Sequence, residues 1–306
     1  MNEKVAAIVL NYNGFEETKE CIESLKVAGF SSDSIYLVDN CSPDQSGEKL
    51  KQLFPPVNFS QCGYNSGYGA GNNYGIRKAF SDGFPYILIV NNDVVVEPGF
   101  LQPLIKELGD DDAVGAATGK VLYKKSPHII NAAGGKFSKL LCTGINLRIG
   151  EVDDHRAEKK DIDFIPGMLI LLKREVIERV GLLDENYFLY YEDIDYSFRI
   201  KKLYKMTYTS ASTVYHKSGG GIKGKMYSGT YLYYYTRNRF WFFREMPFGY
   251  SLYVFIFSLF NCLQKSMIVL GGKSNERKRK LIMLWSGFFA GAFGNKAKKD
   301  VLRIEP

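Results

Sequence analysis

Over the first hundred residues, short apolar runs alternate with stretches whose apolar positions recur at helical spacing. Val5 to Leu10 reads as a strand covered on both faces, and Ser34 to Val38, Val57 to Ser60 and Tyr86 to Val90 repeat that reading. Between them, Glu16 to Ala28 sets Cys21, Ile22, Leu25 and Ala28 at helical intervals. Pro43 would open a helix running toward Phe54, and a further helix is expected from about Tyr74 to Ser81. This alternation predicts an α/β fold built on a mostly parallel sheet with right-handed crossovers. The polar closures Asn11-Tyr12-Asn13-Gly14, Asp39-Asn40-Cys41-Ser42 and Asn91-Asn92-Asp93 then gather on one sheet edge, where ligands of open α/β sheets bind.

Beyond Phe100 the pattern loosens. Ala113 to Tyr123 and Met206 to Tyr215 read as strands, Asn131 to Gly135 as a turn, and Glu151 to Asp163 as a charged surface loop. Phe164 to Leu172 is an apolar run, followed by a helix from Arg174 to Val180 and another from Asp193 to about Leu203. Residues 1–245 are expected to form one domain and 246–306 a helical C-terminal extension. Within that extension Met246 to Gln264 and Leu281 to Asn295 carry no charge, and Arg277-Lys278-Arg279-Lys280 lies between them. Their Gly, Pro, Ser and Asn content favours helices lying in a membrane interface over spanning ones. Buried helices at an oligomer interface are the alternative.

The strand ends carry the candidate chemistry. Asp93, flanked by Asn91 and Asn92, closes the fourth strand; taken alone the cluster reads first as a turn, though its oxygens also suit a divalent cation. The glycine- and asparagine-rich loop from Gly63 to Asn73 lets backbone approach a ligand closely, with Asn65, Gly67 and Asn72 as polar candidates. A dinucleotide fingerprint would sit in the first strand-helix turn, so a dehydrogenase is disfavoured. Glu192, Asp193 and Asp195 cluster at a helix start, either as stabilising N-terminal acids or as a proton-accepting group. His216 ends a strand beside a glycine loop and is a candidate metal ligand.

Charge and cysteine content narrow the setting. The chain carries 40 Lys and Arg against 33 Asp and Glu, a net +7, and that excess is all in the tail from Lys265 onward. Such a tail fits an anionic surface. The aromatic and basic stretch Tyr231 to Arg244 resembles no nucleic-acid module, so no nucleic-acid partner is expected. Five scattered cysteines and a start that enters a strand directly point to a reducing, cytoplasmic setting at the inner face of the cell membrane.

In order, NYNG, VDNCS, NSGYGAGNN, NNDVVVEPGF, GLLDENYFLYYEDIDYSFR and VYHKSGGG resemble the family 2 inverting glycosyltransferases, closest to their rhamnosyltransferase-like branch. The likeness covers roughly residues 4 to 245. It implies a GT-A fold, a nucleotide-sugar donor, Mg²⁺ or Mn²⁺, and a glycan or glycolipid acceptor. Carried over residue by residue, Asn11 and Asp39 would contact the donor base and ribose, with Asn65 to Asn73 nearby. Asp93 would be the last acid of the family's D-x-D metal element and His216 a further ligand. Asp193 would be the catalytic base, and Arg237 or Arg239 would reach the diphosphate. Asn91 stands where that element has its first carboxylate, so weaker metal binding is implied. A UDP-hexose or UDP-galactofuranose donor, or a non-catalytic scaffold of the same fold in a polysaccharide assembly complex, are the alternatives.

Overall fold

The computed structural model describes residues 5–217, 227–244, 248–272 and 275–294. The glycine loop expected at 218–221 and the basic residues beyond 294 lie outside the described residues.

The chain opens β1 (Val5–Asn11), α1 (Phe15–Val27), β2 (Ile35–Asp39), α2 (Ser46–Leu53), β3 (Asn58–Gln61), α3 (Tyr68–Ser81) and β4 (Tyr86–Asn91). β3, β2, β1 and β4 lie side by side in that order, all parallel, with Asn11 opposite Asp39 and Leu10 opposite Asn91. Nearly every residue of β1, β2 and β4 is buried, which explains their unbroken apolar runs.

Two helices start elsewhere than the sequence predicts. α3 begins six residues before Tyr74, because Gly71 and Gly75 are where the helix presses onto β1. A methyl group on Gly71 would lie 2.6 Å from Leu10 Cδ1, and one on Gly75 would lie 2.8 Å from Ile8 Cγ2. α2 begins at Ser46 rather than at Pro43, after Gln45 turns left-handed at φ 61°.

The second half adds β5 (Val94–Val96), α4 (Leu101–Asp110), β6 (Val114–Tyr123), β7 (Ser126–Ala132), β8 (Gly135–Ser138), β9 (Thr143–Asn146), β10 (Lys159–Asp161), β11 (Leu169–Lys173), α5 (Arg174–Val180), α6 (Glu192–Ile200) and β12 (Lys205–His216). Here the sheet stops being parallel: β11 runs antiparallel to both β4 and β6, while β6 and β12 are parallel. The sheet ends in the order β10-β12-β6-β11-β4-β1-β2-β3, with β5 paired to β12 and β7 to β6. The charged stretch 151–163 is tied down more than expected, since Asp153 forms a buried ion pair with Lys120 at 2.6 Å.

α7 (Gly229–Phe243), α8 (Phe248–Gly271) and α9 (Arg277–Phe293) pack on one another through an aromatic core that includes Trp241, Phe240, Phe243 and Phe288. The helical layer therefore begins at 229, before the expected boundary at 245. Arg277 to Lys280 form the first turn of α9 rather than a linker. On α8, Leu252, Ile256, Phe260, Leu263 and Met267 share an exposed face, with Phe260 75 % exposed. Among the described residues, one helix, Gly249–Gly271, is long and apolar enough to cross a membrane. At the tip between β8 and β9, Leu140 and Leu141 are exposed, and the Tyr250 and Tyr253 hydroxyls of α8 donate to the Lys139 and Leu140 carbonyls there.

Candidate active site

The ends of β1, β2 and β4 and the start of α3 form one polar edge, as the sequence pattern implies. At its base, Asn11 is fully buried. Its amide donates to Asp39 Oδ1 at 2.8 Å, Ser46 Oγ at 2.9 Å and Ser42 Oγ at 3.1 Å, and its oxygen accepts from Thr18 Oγ1. Asn92 in turn donates to Thr18 at 2.9 Å. Asp39 is also fully buried and accepts from the Ser42 hydroxyl at 2.6 Å, the Ser42 backbone N–H and Gln61. Any side chain at Gly47 would overlap the Asp39 carboxyl, so α2 lies directly against it. Asn11 thus orients Asp39.

The loop before α3 is held by a residue that sequence reasoning passed over. Asn40 donates to Asn65 Oδ1 at 2.9 Å and to the Gly67 carbonyl, and accepts from Ser66 N–H and Oγ. Gly67 is left-handed at φ +84°, and a side chain there would strike the Phe188 carbonyl, which accepts from Tyr68 N–H at 2.8 Å. Asn72 lies inside α3, buried, with its amide donated to the Tyr68 carbonyl at 2.9 Å.

Asp93 and His216 are brought together by the antiparallel pairing of β5 with β12, which sets Val94 opposite His216. His216 Nε2 lies 3.1 Å from Asp93 Oδ1. That distance suits a hydrogen bond, and it is also about the ~3 Å separation of adjacent ligands around an octahedral ion bound at ~2.1 Å. No group of three or more His, Cys, Asp or Glu side chains fit to hold a metal occurs among the described residues. The pair offers one imidazole nitrogen and one carboxylate oxygen, donor types that suit Mg²⁺ or Mn²⁺.

The Tyr68 hydroxyl sits at the centre of the edge, 2.9 Å from Asn91 Oδ1 and 2.6 Å from the Gly167 carbonyl. Its pKa is raised well above the ordinary value, first by burial and then by the charges of Glu192, Asp193 and Asp93. Nothing local in the sequence marks Tyr68, because its partners lie 23 and 99 residues away.

Asp193 stands on the first turn of α6. Gly167 N–H donates to its Oδ2 at 3.0 Å and Ile194 N–H to its Oδ1 at 2.9 Å. Burial pushes its pKa up to about 6 despite these donors. Glu192, buried with Oε2 unpartnered, is raised well above the ordinary range by burial and by Asp193. Both carboxyls are thus pushed upward by burial, Glu192 further by the neighbouring Asp193 charge. Asp195 pairs with Arg199 at 2.8 Å, a structural bond within the helix.

Tyr190 and Tyr191, just ahead of α6, are both left-handed, at φ 68° and 76°. Each costs about 1–3 kcal/mol in isolation. Asn238 of α7 holds them by donating to the Leu189 and Tyr190 carbonyls at 2.9 and 2.7 Å. Arg237 is 1 % exposed, packs 3.9 Å from the Trp241 ring centre and donates to the Asn186 carbonyl and Asn238 Oδ1. It supports this loop from within.

The parallel β3-β2-β1-β4 half, the antiparallel β11 and the acidic strand end together define a GT-A-like fold. Solved structures agree. The chain covers 99 % of itself and 88 % of the Pyrobaculum calidifontis mannosyltransferase PcManGT in complex with GDP-Man and Mn²⁺, at 14 % identity and a TM-score of 0.54. For S. aureus TarS 1-349 the shares are 94 % and 81 %, at 15 % identity and a TM-score of 0.57. Residues 6–181 match the Glycosyl transferase family 2 model, and the chain belongs to that family. A Mycobacterium tuberculosis N-acetylglucosaminyl-diphospho-decaprenol L-rhamnosyltransferase is 24 % identical over 240 residues, 71 % of this chain and 78 % of that protein. The Haloferax volcanii hexosyltransferase Agl10 is 24 % identical over 211 residues, 66 % of this chain and 63 % of its own.

Proposed function

We propose that this glycosyltransferase moves a sugar, with rhamnose favoured, from a nucleoside-diphosphate sugar to a lipid-linked or growing surface-polysaccharide acceptor, with inversion at the anomeric carbon. The observation that supports the reading is the pairing of Asp93 with His216 at 3.1 Å, together with Gly167, whose carbonyl accepts from Tyr68 and whose N–H donates to Asp193. Inverting transfer is one displacement: the acceptor oxygen bonds to the anomeric carbon as the bond to the donor diphosphate breaks. Asp193 takes the acceptor's proton, and its two backbone N–H donors fix the carboxylate in place. A pKa near 6 keeps it ionised at neutral pH and basic enough to accept. A divalent cation held by Asp93 and His216 would neutralise the leaving diphosphate. Asn11, Ser42 and Gln61 hold Asp39 where the donor nucleoside would lie.

The M. tuberculosis relative supports a rhamnosyl donor and a diphosphate-lipid acceptor. The exposed apolar face of α8 and the four cations on the first turn of α9 support attachment to the inner membrane surface. Those cations oppose the helix dipole, so an anionic headgroup layer would relieve them. A thermal-shift screen of nucleotide sugars with Mg²⁺ or Mn²⁺, followed by turnover of the best donor, tests the reading. A chain that neither binds nor hydrolyses any nucleotide sugar would be a scaffold instead.

A further inference from the structure

The helical layer buries two cations for which the described residues supply no carboxylate. Arg239 on α7 is 3 % exposed and Lys265 on α8 is 7 % exposed, and neither forms an ion pair among the described residues. Lys265 Nζ has no hydrogen-bond partner there. It lies 5.2 and 5.3 Å from the Tyr231 and Tyr235 ring centres. Arg239 uses two of its donors on Tyr191 Oη and Asn261 Oδ1, both at long range, 3.3 and 3.4 Å. Two like charges taken out of water without a counter-ion are costly, and aromatic faces offset only part of that. Burial and the nearby Arg239 hold the Lys265 amine down at about 8, the sign of an amine lacking its anion.

The pair lies beside the turn that leads into α6 and Asp193. Tyr191, which accepts from Arg239, immediately precedes α6, two residues from Asp193. Tyr190 packs against Tyr231 and Tyr235 at 5.2 and 6.1 Å, and these three rings are only half-buried, so the cluster reaches the surface. The opposite face of α8 carries the exposed apolar stripe.

We propose that Arg239 and Lys265 form a phosphate-binding subsite for the acceptor, taking the phosphate or diphosphate of an isoprenoid-type lipid. The proposal rests on the lipid-linked acceptor reading above. It gives that acceptor a charged anchor beside the loop that aims Asp193, so binding the lipid and placing the base are one event.

The test is calorimetric titration of the full chain in EDTA, with farnesyl diphosphate, inorganic diphosphate and farnesol as probes. Farnesyl diphosphate is expected to bind, with the other two roughly tenfold or more weaker. Lys265→Met, matched in shape, should weaken farnesyl diphosphate roughly tenfold or more, as expected for losing a charged contact. It should also melt no lower than the parent, since it removes an unpaired buried cation. Arg239→Gln supplies a second reading of the same loss. Unchanged farnesyl diphosphate affinity in Lys265→Met overturns the subsite, and equal affinity for inorganic diphosphate overturns the lipid assignment. Nucleoside diphosphate binding with Mn²⁺, measured on the same protein, separates the two failures. If it persists while farnesyl diphosphate does not bind, only this inference falls; if both are absent, the transferase reading falls too.

Discussion

Asp193→Asn conserves the shape of the base while removing its charge and its capacity to take a proton. Raised from 3.8 to about 6, the folded carboxylate holds its proton more tightly than the unfolded chain does. Its cost to the fold is therefore absent below about pH 4 and fully present once the pH has risen past about 6. For a half-buried group that cost is at most roughly 3 kcal/mol near pH 7.5. Asparagine escapes it. In exchange, its NH₂ group must face the N–H of either Gly167 or Ile194, returning about 1–3 kcal/mol. The two nearly offset, so melting should shift by only a few degrees. Turnover, by contrast, should fall about 10²–10⁴-fold, the range for a lost general base. Release of nucleoside diphosphate under saturating donor and acceptor reads the rate, and calorimetry with the donor reads binding, which should stay within about threefold. In the parent enzyme, kcat should drop about tenfold per pH unit below about 6 as Asp193 takes up its proton. Turnover within about threefold of the parent in Asp193→Asn would refute the assignment, as would a loss that merely tracks the unfolded fraction.

Three further expectations follow from the same geometry. Asp93→Asn and His216→Ala should each weaken Mn²⁺ binding in the presence of nucleoside diphosphate by roughly tenfold or more, read by titration of the ion; equal affinity in both would separate the pair from the metal. Gly47→Ala should push the Asp39 carboxyl aside, costing about 1–3 kcal/mol in denaturant unfolding and raising the donor KM while sparing Mn²⁺ affinity. Phe260→Glu should cut flotation with anionic vesicles by roughly tenfold, since it forfeits about 1.5–3 kcal/mol of apolar burial, whereas release by high salt alone would assign attachment to the basic turn of α9.

What the sequence reveals here is set by how local the cause is. β1, β2 and β4 are legible because both faces of a parallel strand are covered, and that writes an unbroken apolar run. The polar closures of those strands carried Asp39 and Asp93 with them. The start of α3 was hidden because Gly71 and Gly75 look like loop residues until Leu10 and Ile8 press against them. The reversal at β11 was hidden as well, since a run such as Phe164 to Leu172 records burial and no direction. Tyr68 and Asn40 act only through partners brought in by the fold. The burial of Arg237 against Trp241 was likewise invisible, since an arginine in an aromatic stretch reads the same whether it faces solvent or the core.

The central claim is that Asp193 and the Asp93–His216 pair serve a single inverting displacement. Proton NMR of the glycoside formed from a defined nucleotide sugar tests it most directly, because the anomeric coupling reports the configuration as the product appears. The expected product has the configuration opposite to the donor and forms only with Mg²⁺ or Mn²⁺ and not with Asp193→Asn. A product that retains the donor configuration, or an inverted one formed at the parent rate by Asp193→Asn, would contradict it.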